Sequence, residues 1–135
     1  ELEVFDKSMI DMAMRLHKKG HIDAPLHFNL VLGVNGGISA TPRDLLFLVE
    51  SLPEGATFTV SAMGRHQLTL NVMSMLMGGH VRTGFEDNLM LDRGVMAESN
   101  GILVERLVRI AKELNLEIAT PDEAREIMGL PVKNN

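Results

Sequence analysis

Leu26-His27-Phe28-Asn29-Leu30-Val31-Leu32-Gly33-Val34, followed by Asn35-Gly36-Gly37 and then by Thr41-Pro42-Arg43-Asp44, is the stretch that decides the fold. The apolar run is too short for a buried helix and ends at a turn-forming Asn-Gly-Gly, which predicts a strand over 26–34. A capping Thr, Pro at the first helical position and an acid three residues after the cap then start a helix carrying Leu45, Leu46, Leu48 and Val49 inward. The same strand-then-helix unit recurs on both sides. Upstream, Leu2 to Phe5 reads as a short strand running into Asp6, an N-cap for a helix over 7–19 that buries Met9, Met12, Ala13 and Leu16 and stops at Gly20. Downstream, Ala56 to Ala62 is rich in β-branched residues and leads through Met63-Gly64-Arg65 to a helix over about 66–77. A fourth unit follows Gly78-Gly79: a strand from His80 to Thr83, a polar connection from Gly84 to Gly94, and mostly helix from Val95 to Asn115. Thr120-Pro121-Asp122-Glu123 repeats the capping pattern and opens a last short helix to about Met128.

Four such units in 135 residues argue for an α/β fold with a parallel sheet and helical crossovers. A complete (β/α)8 barrel needs about 250 residues. A small doubly wound sheet and half of a barrel therefore both fit the pattern, and nothing resembling a linker divides the chain.

Composition removes whole classes of function. The net charge of -5, from 13 Lys and Arg against 18 Asp and Glu, gives no broad basic surface, and Trp and Tyr are absent, so nucleic acid is not an expected partner. No apolar run reaches membrane-spanning length, so no membrane partner is expected either. The absence of Cys excludes disulfides, thiol nucleophiles and a Cys-based zinc cage, and makes a cytoplasmic location the default expectation.

In both candidate architectures ligands bind beyond the carboxyl ends of the strands. The richest such loop is Gly79-His80-Val81-Arg82-Thr83-Gly84-Phe85-Glu86-Asp87-Asn88. Arg82 is suited to clamping a substrate carboxylate, Glu86 to donating a hard oxygen to a divalent metal, and Asp87 to orienting a partner or accepting a proton. In extended chain Arg82, Gly84 and Glu86 share one side. The alternative is a plain Arg82–Glu86 ion pair with Asp87 capping the next turn. Arg65, at the end of the neighbouring strand, offers a second anion contact. Of the five His, His80 shares the face of Arg82 and is the best site candidate, whereas His27 and His66 read as hydrogen-bonded structural residues. No nucleotide-binding loop of either common pattern is present.

The segments GGHVRTGFEDN (78–88), SNGILVERLVRIAKEL (99–114) and ATPDEAREIMGL (119–130), with ELEVFD (1–6), FNLVLGVNGG (28–37) and SAMGRHQ (61–67), closely resemble the β-keto acid cleavage enzyme family, the 3-keto-5-aminohexanoate cleavage enzyme-like proteins. The resemblance spans essentially the whole chain and implies a zinc-dependent (β/α)8 TIM barrel that condenses a β-keto acid with acetyl-CoA, giving acetoacetate and a new CoA thioester. It implies Glu86 as a metal ligand, Arg82 as the catalytic Arg, and Asp87 as the Asp supporting substrate activation. It places Glu1 or Glu3, on the fifth barrel strand, near the distal group of the substrate. The His-X-His motif that supplies the family's other zinc ligands does not occur in this sequence. Residues 1–135 are accordingly expected to be the C-terminal half of one TIM-barrel domain, strands five to eight plus C-terminal helices. That half is expected to be inactive without its N-terminal half and to belong to a homo-oligomer. Competing expectations are a phosphate-binding half barrel built on Arg65 and the Gly-bearing loops, and a non-catalytic interaction module using open sheet edges.

Overall fold

The computed structural model describes residues 1–131; the last positions of the expected domain, 132–135, lie outside the described residues. Four strands, β1 (Leu2–Val4), β2 (His27–Leu32), β3 (Thr57–Ala62) and β4 (His80–Val81), form one parallel sheet in the order β1-β2-β3-β4. Helices α1 (Lys7–Lys18), α2 (Pro42–Glu50) and α3 (Gln67–Leu76) make the crossovers, α3 being preceded by a 3₁₀ turn at Gly64–His66. Two more helices follow, α4 (Asn100–Glu113) and α5 (Pro121–Ile127).

Local chemistry sets the helix starts as read. The Asp6 carboxylate accepts from the Ser8 and Met9 amides at 2.7 and 3.3 Å. Thr41 accepts from the Asp44 amide at 3.2 Å, and Thr120 with Glu123 completes a reciprocal capping box.

Strand order and core together decide between the two architectures. A doubly wound sheet reverses its strand order and buries both faces under helices, whereas a barrel adds each strand beside the last and keeps every helix outside. Here the order is sequential. Val4, Phe28, Leu30, Leu32, Phe58, Val60 and Ala62 project from one face into a single core with Ile10 and Ala13 of α1, Leu45 and Leu48 of α2 and Leu70 of α3. Each fully buried Leu, Ile or Phe there contributes about 1.5–3 kcal/mol by leaving water. The opposite face carries the alternate residues, and they are largely polar: Glu3, then His27 and Asn29, then Thr57, Thr59 and Ser61, then His80 and Arg82. This singly wound parallel sheet is consistent with part of a barrel.

Three sequence expectations are corrected. The helix expected over 95–115 begins only at Asn100, capped by Ser99; Val95–Met96 (β6) instead pairs antiparallel with Met90–Asp92 (β5) inside the expected polar connection. The turn is Arg93-Gly94, with Gly94 at φ 78°, a left-handed conformation that glycine adopts freely. The inward face of α1 is Ile10, Ala13 and Met14, while Met9, Met12 (54% exposed) and Leu16 form an open flanking stripe. Likewise Leu45 and Leu48 are buried in α2, but Leu46 is 45% exposed. In both helices the apolar stripe is wider than the surface this sheet covers, so the buried phase is offset from the one inferred.

Candidate functional site

The carboxyl end of β4 presents Arg82 to the polar face of the sheet. The Arg82 amide donates to the Val60 carbonyl at 3.1 Å, which holds its backbone in register just past the strand. Asn71 of α3 donates to the Arg82 carbonyl at 2.9 Å from the other side. The chain then turns at Gly84, whose carbonyl accepts from the amides of Asp87 and Asn88 at 3.2 and 3.0 Å. Extension therefore does not persist to Glu86, and it is this turn that swings both carboxylates back to the guanidinium.

Asp87 is the principal partner. Its two oxygens take Nε and Nη2 of Arg82 at 3.0 and 2.9 Å, a bidentate fork, and its side chain is 3% exposed. It does not cap the next turn. Glu86 Oε2 lies 3.1 Å from Arg82 Nη2 but is 84% exposed, a solvated end that can exchange partners. The hydrogen bonds that Arg82 donates to Asp87, reinforced by the charges of Asp87, Glu86 and Glu3 and opposed by partial burial, raise the Arg82 pKa, so the guanidinium stays a permanent cation.

Glu3 of β1 completes the cluster, with Oε2 3.6 Å from Arg82 Nη1. The same Glu3 oxygen accepts from Asn29 Nδ2 at 3.0 Å, and Asn29 Oδ1 accepts from Ser61 Oγ at 2.7 Å. A polar chain thus runs Ser61–Asn29–Glu3–Arg82 across all four strands. Asn29 and Ser61 escaped the sequence reading; the signal was present, because polar residues at alternate positions within apolar strands mark a polar face. Glu1 does not join this cluster. Its Oε1 lies 3.6 Å from Nε2 of His27, at the amino end of the sheet.

His27 is buried and hydrogen-bonded to Thr57 Oγ1 at 2.8 Å and Thr59 Oγ1 at 3.0 Å, the structural role expected of it. Burial lowers its pKa, Glu1 opposing and His80 adding to the effect. His80 shares the polar face but sits beside His27, ring centroids 5.9 Å apart, rather than beside Arg82.

The loop is fastened from α3 and α4. Gln67 Oε1 accepts from Thr83 Oγ1 at 2.7 Å, and Asn100 Oδ1 accepts from the Phe85 amide at 2.9 Å. Arg65 lies apart from the Arg82 cluster. It is exposed, donates through Nε to His66 Nε2 at 3.2 Å, and lines a cleft of about 680 Å³ between α3, α4 and the β5–β6 hairpin.

As a metal centre the donor set is incomplete. Among the described residues no group of three His, Cys, Asp or Glu is placed to hold a metal ion, and a catalytic zinc normally takes three protein ligands. The described residues of this chain do not by themselves fit a zinc site. No helix among the described residues is long and apolar enough to cross a membrane.

The family model described as beta-keto acid cleavage enzyme matches residues 1–130. The 3-keto-5-aminohexanoate cleavage enzyme of Acetoanaerobium sticklandii is 65% identical over 130 residues, covering 96% of this chain and 48% of that protein. Its counterpart from Fusobacterium nucleatum is 59% identical over 130 residues, covering 96% and 47%. The 3-oxoadipate:acetyl-CoA acetyltransferase of Cupriavidus necator is 39% identical over 134 residues, covering 97% and 47%. The chain spans about half the length of the curated relatives it matches.

Proposed function

The chain belongs to the beta-keto acid cleavage enzyme family, and we propose that it carries the Arg82 side of an active site that condenses a β-keto acid with acetyl-CoA. In that reaction the bond between the keto carbon and C2 of the keto acid breaks and C2 becomes joined to the acetyl carbonyl carbon. The thiolate of CoA takes the remaining acyl group. Acetoacetate and a new CoA thioester leave, and atoms balance without an oxidant or reductant.

The observation that carries this reading is the Arg82 guanidinium, fixed by the buried Asp87 fork at the carboxyl end of β4. Both the keto acid carboxylate and the oxyanions formed during acyl transfer are negative. A pre-oriented cation stabilises them without reorganising, an effect typically worth a few kcal/mol per donor. Asp87 acts through Arg82, as a positioning residue. Glu3 faces the same polar surface and is assigned to the distal group of the keto acid; Glu1, engaged with His27, lies farther from Arg82. Glu86 would supply one oxygen ligand to a zinc ion, whose other ligands would come from outside residues 1–135.

The assignment of the chain to strands five to eight of a TIM barrel is part of the same proposal. It is supported by the sequential parallel sheet, by its polar face and by the share of each relative that the chain covers. The rest of the barrel is then the partner of β1 and β4. A homo-oligomer and a cytoplasmic location belong to this reading as well.

The test is acetoacetate release by the full-length enzyme supplied with acetyl-CoA and a panel of β-keto acids. Arg82→Met should lower turnover by about a hundredfold, the cost of one oxyanion donor. Unchanged turnover in that variant, or no acetoacetate with any keto acid, would overturn the assignment.

A further inference from the structure

The cleft beside the Arg82 loop has a composition that the keto acid chemistry does not use. Its walls carry three arginines, Arg65, Arg93 and Arg106, against one acid, Asp92. None of the three arginines makes an ion pair among the described residues: Arg65 is bonded to His66 and Arg106 to the Leu91 carbonyl. Beneath them lie two amide side chains that are almost wholly buried and half satisfied. Gln67 Nε2, a donor, and Asn71 Oδ1, an acceptor, have no hydrogen-bond partner among the described residues. Four residues apart on α3, they sit one turn above each other on the same side of the helix. A buried donor or acceptor left unpaired is costly, so a neighbouring donor and acceptor of opposite sense suit a ligand amide. The remaining wall is apolar, from Leu68, Leu91, Leu103 and Leu107.

Phosphate-seeking cations, an amide-complementary pair and an apolar wall together describe one kind of molecule: a flexible chain of amides ending in phosphates. We propose that this cleft binds the coenzyme A portion of the thioester, its phosphates on Arg65 and Arg93 and its pantetheine arm along α3. The proposal rests on the acetyl-CoA reaction assigned above and adds the site of the coenzyme. Volume and position agree. About 680 Å³ falls within the range of small-molecule and cofactor pockets. Thr83 and Asn88, which also line the cleft, are the chain neighbours of Arg82 and Asp87, so a bound arm ends beside the reacting centre.

The experiment is equilibrium binding of CoA, pantetheine and inorganic phosphate to the full-length enzyme and to its Arg65→Met, Arg93→Met and Arg93→Lys variants. Both arginine side chains are exposed, so the fold tolerates their replacement. CoA affinity should fall about tenfold in each Met variant, the loss of a charge-assisted phosphate contact, and recover partly in Arg93→Lys. Pantetheine, which has no phosphate, should bind parent and variants alike. CoA bound equally by all forms, or not bound by the parent, overturns the proposal, as does phosphate bound as tightly as CoA. Acetoacetate release on the same preparations separates the two readings. Release that persists while CoA affinity ignores the arginines overturns the cleft and leaves the reaction. Arginine-dependent CoA binding by an enzyme that releases no acetoacetate overturns the reaction and leaves the cleft.

Discussion

Glu3 Oε2, on β1, stands 3.6 Å from Nη1 of Arg82, just past β4, although two strands lie between them. Strands pack about 4.8 Å apart, so a flat sheet would hold these backbones about 14 Å from each other. The two long side chains meet over that span by leaning toward each other across the polar face of the sheet. The parallel strand order and the turn at Gly84 gather on one surface a cation and three carboxylates that the sequence spreads from residue 3 to residue 87.

The three carboxylates are not equivalent, and substitution should separate them. Asp87→Asn places an amide against the guanidinium fork at a 3% exposed position, so it should cost about 1–3 kcal/mol of stability and release Arg82 from its orientation. Glu86→Gln, at an 84% exposed position, should change stability by less than about 0.5 kcal/mol. Urea unfolding of the full-length variants measures the difference, and equal losses at the two positions would contradict the assigned geometry.

Metal content should reverse that ranking. With Glu86 as a zinc ligand, Glu86→Ala should empty the metal site of the full-length enzyme while Asp87→Asn retains it, as read by elemental analysis. Equal zinc occupancy in Glu86→Ala and the parent would remove Glu86 from the ligand set.

Much of this was legible in the sequence, for identifiable reasons. Asp6, Thr41 and Thr120 announce helix starts because capping is local chemistry, and each caps as read. The loop from Arg82 to Asp87 was recognisable because its residue types are chemically pointed. The pairing within it was not: which carboxylate forms the fork depends on the turn at Gly84, and Glu3 joins only because β1 and β4 lie in one sheet with both side chains on its polar face. The β5–β6 hairpin was missed because its strands, Met90–Asp92 and Val95–Met96, are too short to show a period of two. Met9, Met12 and Leu46 were placed inward because an apolar stripe gives the direction of a helix face only to within about one residue's rotation.

Below the Arg82 cluster, pH should act through His27. Burial lowers its pKa, so the fold holds the neutral ring, and the unfolded chain takes up a proton first, near pH 6.5. The stability that the neutral ring supports is fully present above that value. It is lost as pH falls from there toward the lower folded pKa. Glu1 favours the charged ring, His80 opposes it, and Thr57 and Thr59 are uncharged, so burial decides the direction. The stability advantage of the full-length parent over His27→Gln should therefore be larger at about pH 7.5 than at about pH 5.5, by urea unfolding. An equal advantage at both would contradict this account.

Asn29 is the bridge between Ser61 and Glu3, at 2% exposure. Asn29→Ala should leave the buried Ser61 hydroxyl without its acceptor and Glu3 without its donor, costing about 1–3 kcal/mol. Ser61→Ala removes one bond and leaves the Asn29–Glu3 contact in place, so it should cost less. Because Glu3 is then free to drift from Arg82, Asn29→Ala should also raise the KM for the keto acid where Ser61→Ala does not. The two KM values on the full-length enzyme decide whether the chain of contacts acts as a unit.

Gly79 shows how closely the sheet is packed where β4 begins. A Cβ built there would collide with Cε2 and Cζ of the Phe58 ring and lie 2.6 Å from the Ser74 hydroxyl. The Phe58 ring belongs to the buried core, and Ser74 Oγ already donates to the His80 carbonyl at 2.6 Å, so neither can retreat cheaply. Gly79→Ala must therefore push β4 away from β3 or break the Ser74 contact, and overpacking of this kind costs about 1–3 kcal/mol. Gly78, one residue earlier, has open space around its missing side chain but a φ of 80°, so Gly78→Ala should suffer only backbone strain. Because β4 carries Arg82, displacement at Gly79 should lower turnover as well as the unfolding midpoint, whereas Gly78→Ala should lower the midpoint alone. Turnover unchanged in Gly79→Ala would mean that the Arg82 loop is held by α3 and α4, through Gln67, Asn71 and Asn100, independently of the strand that leads into it.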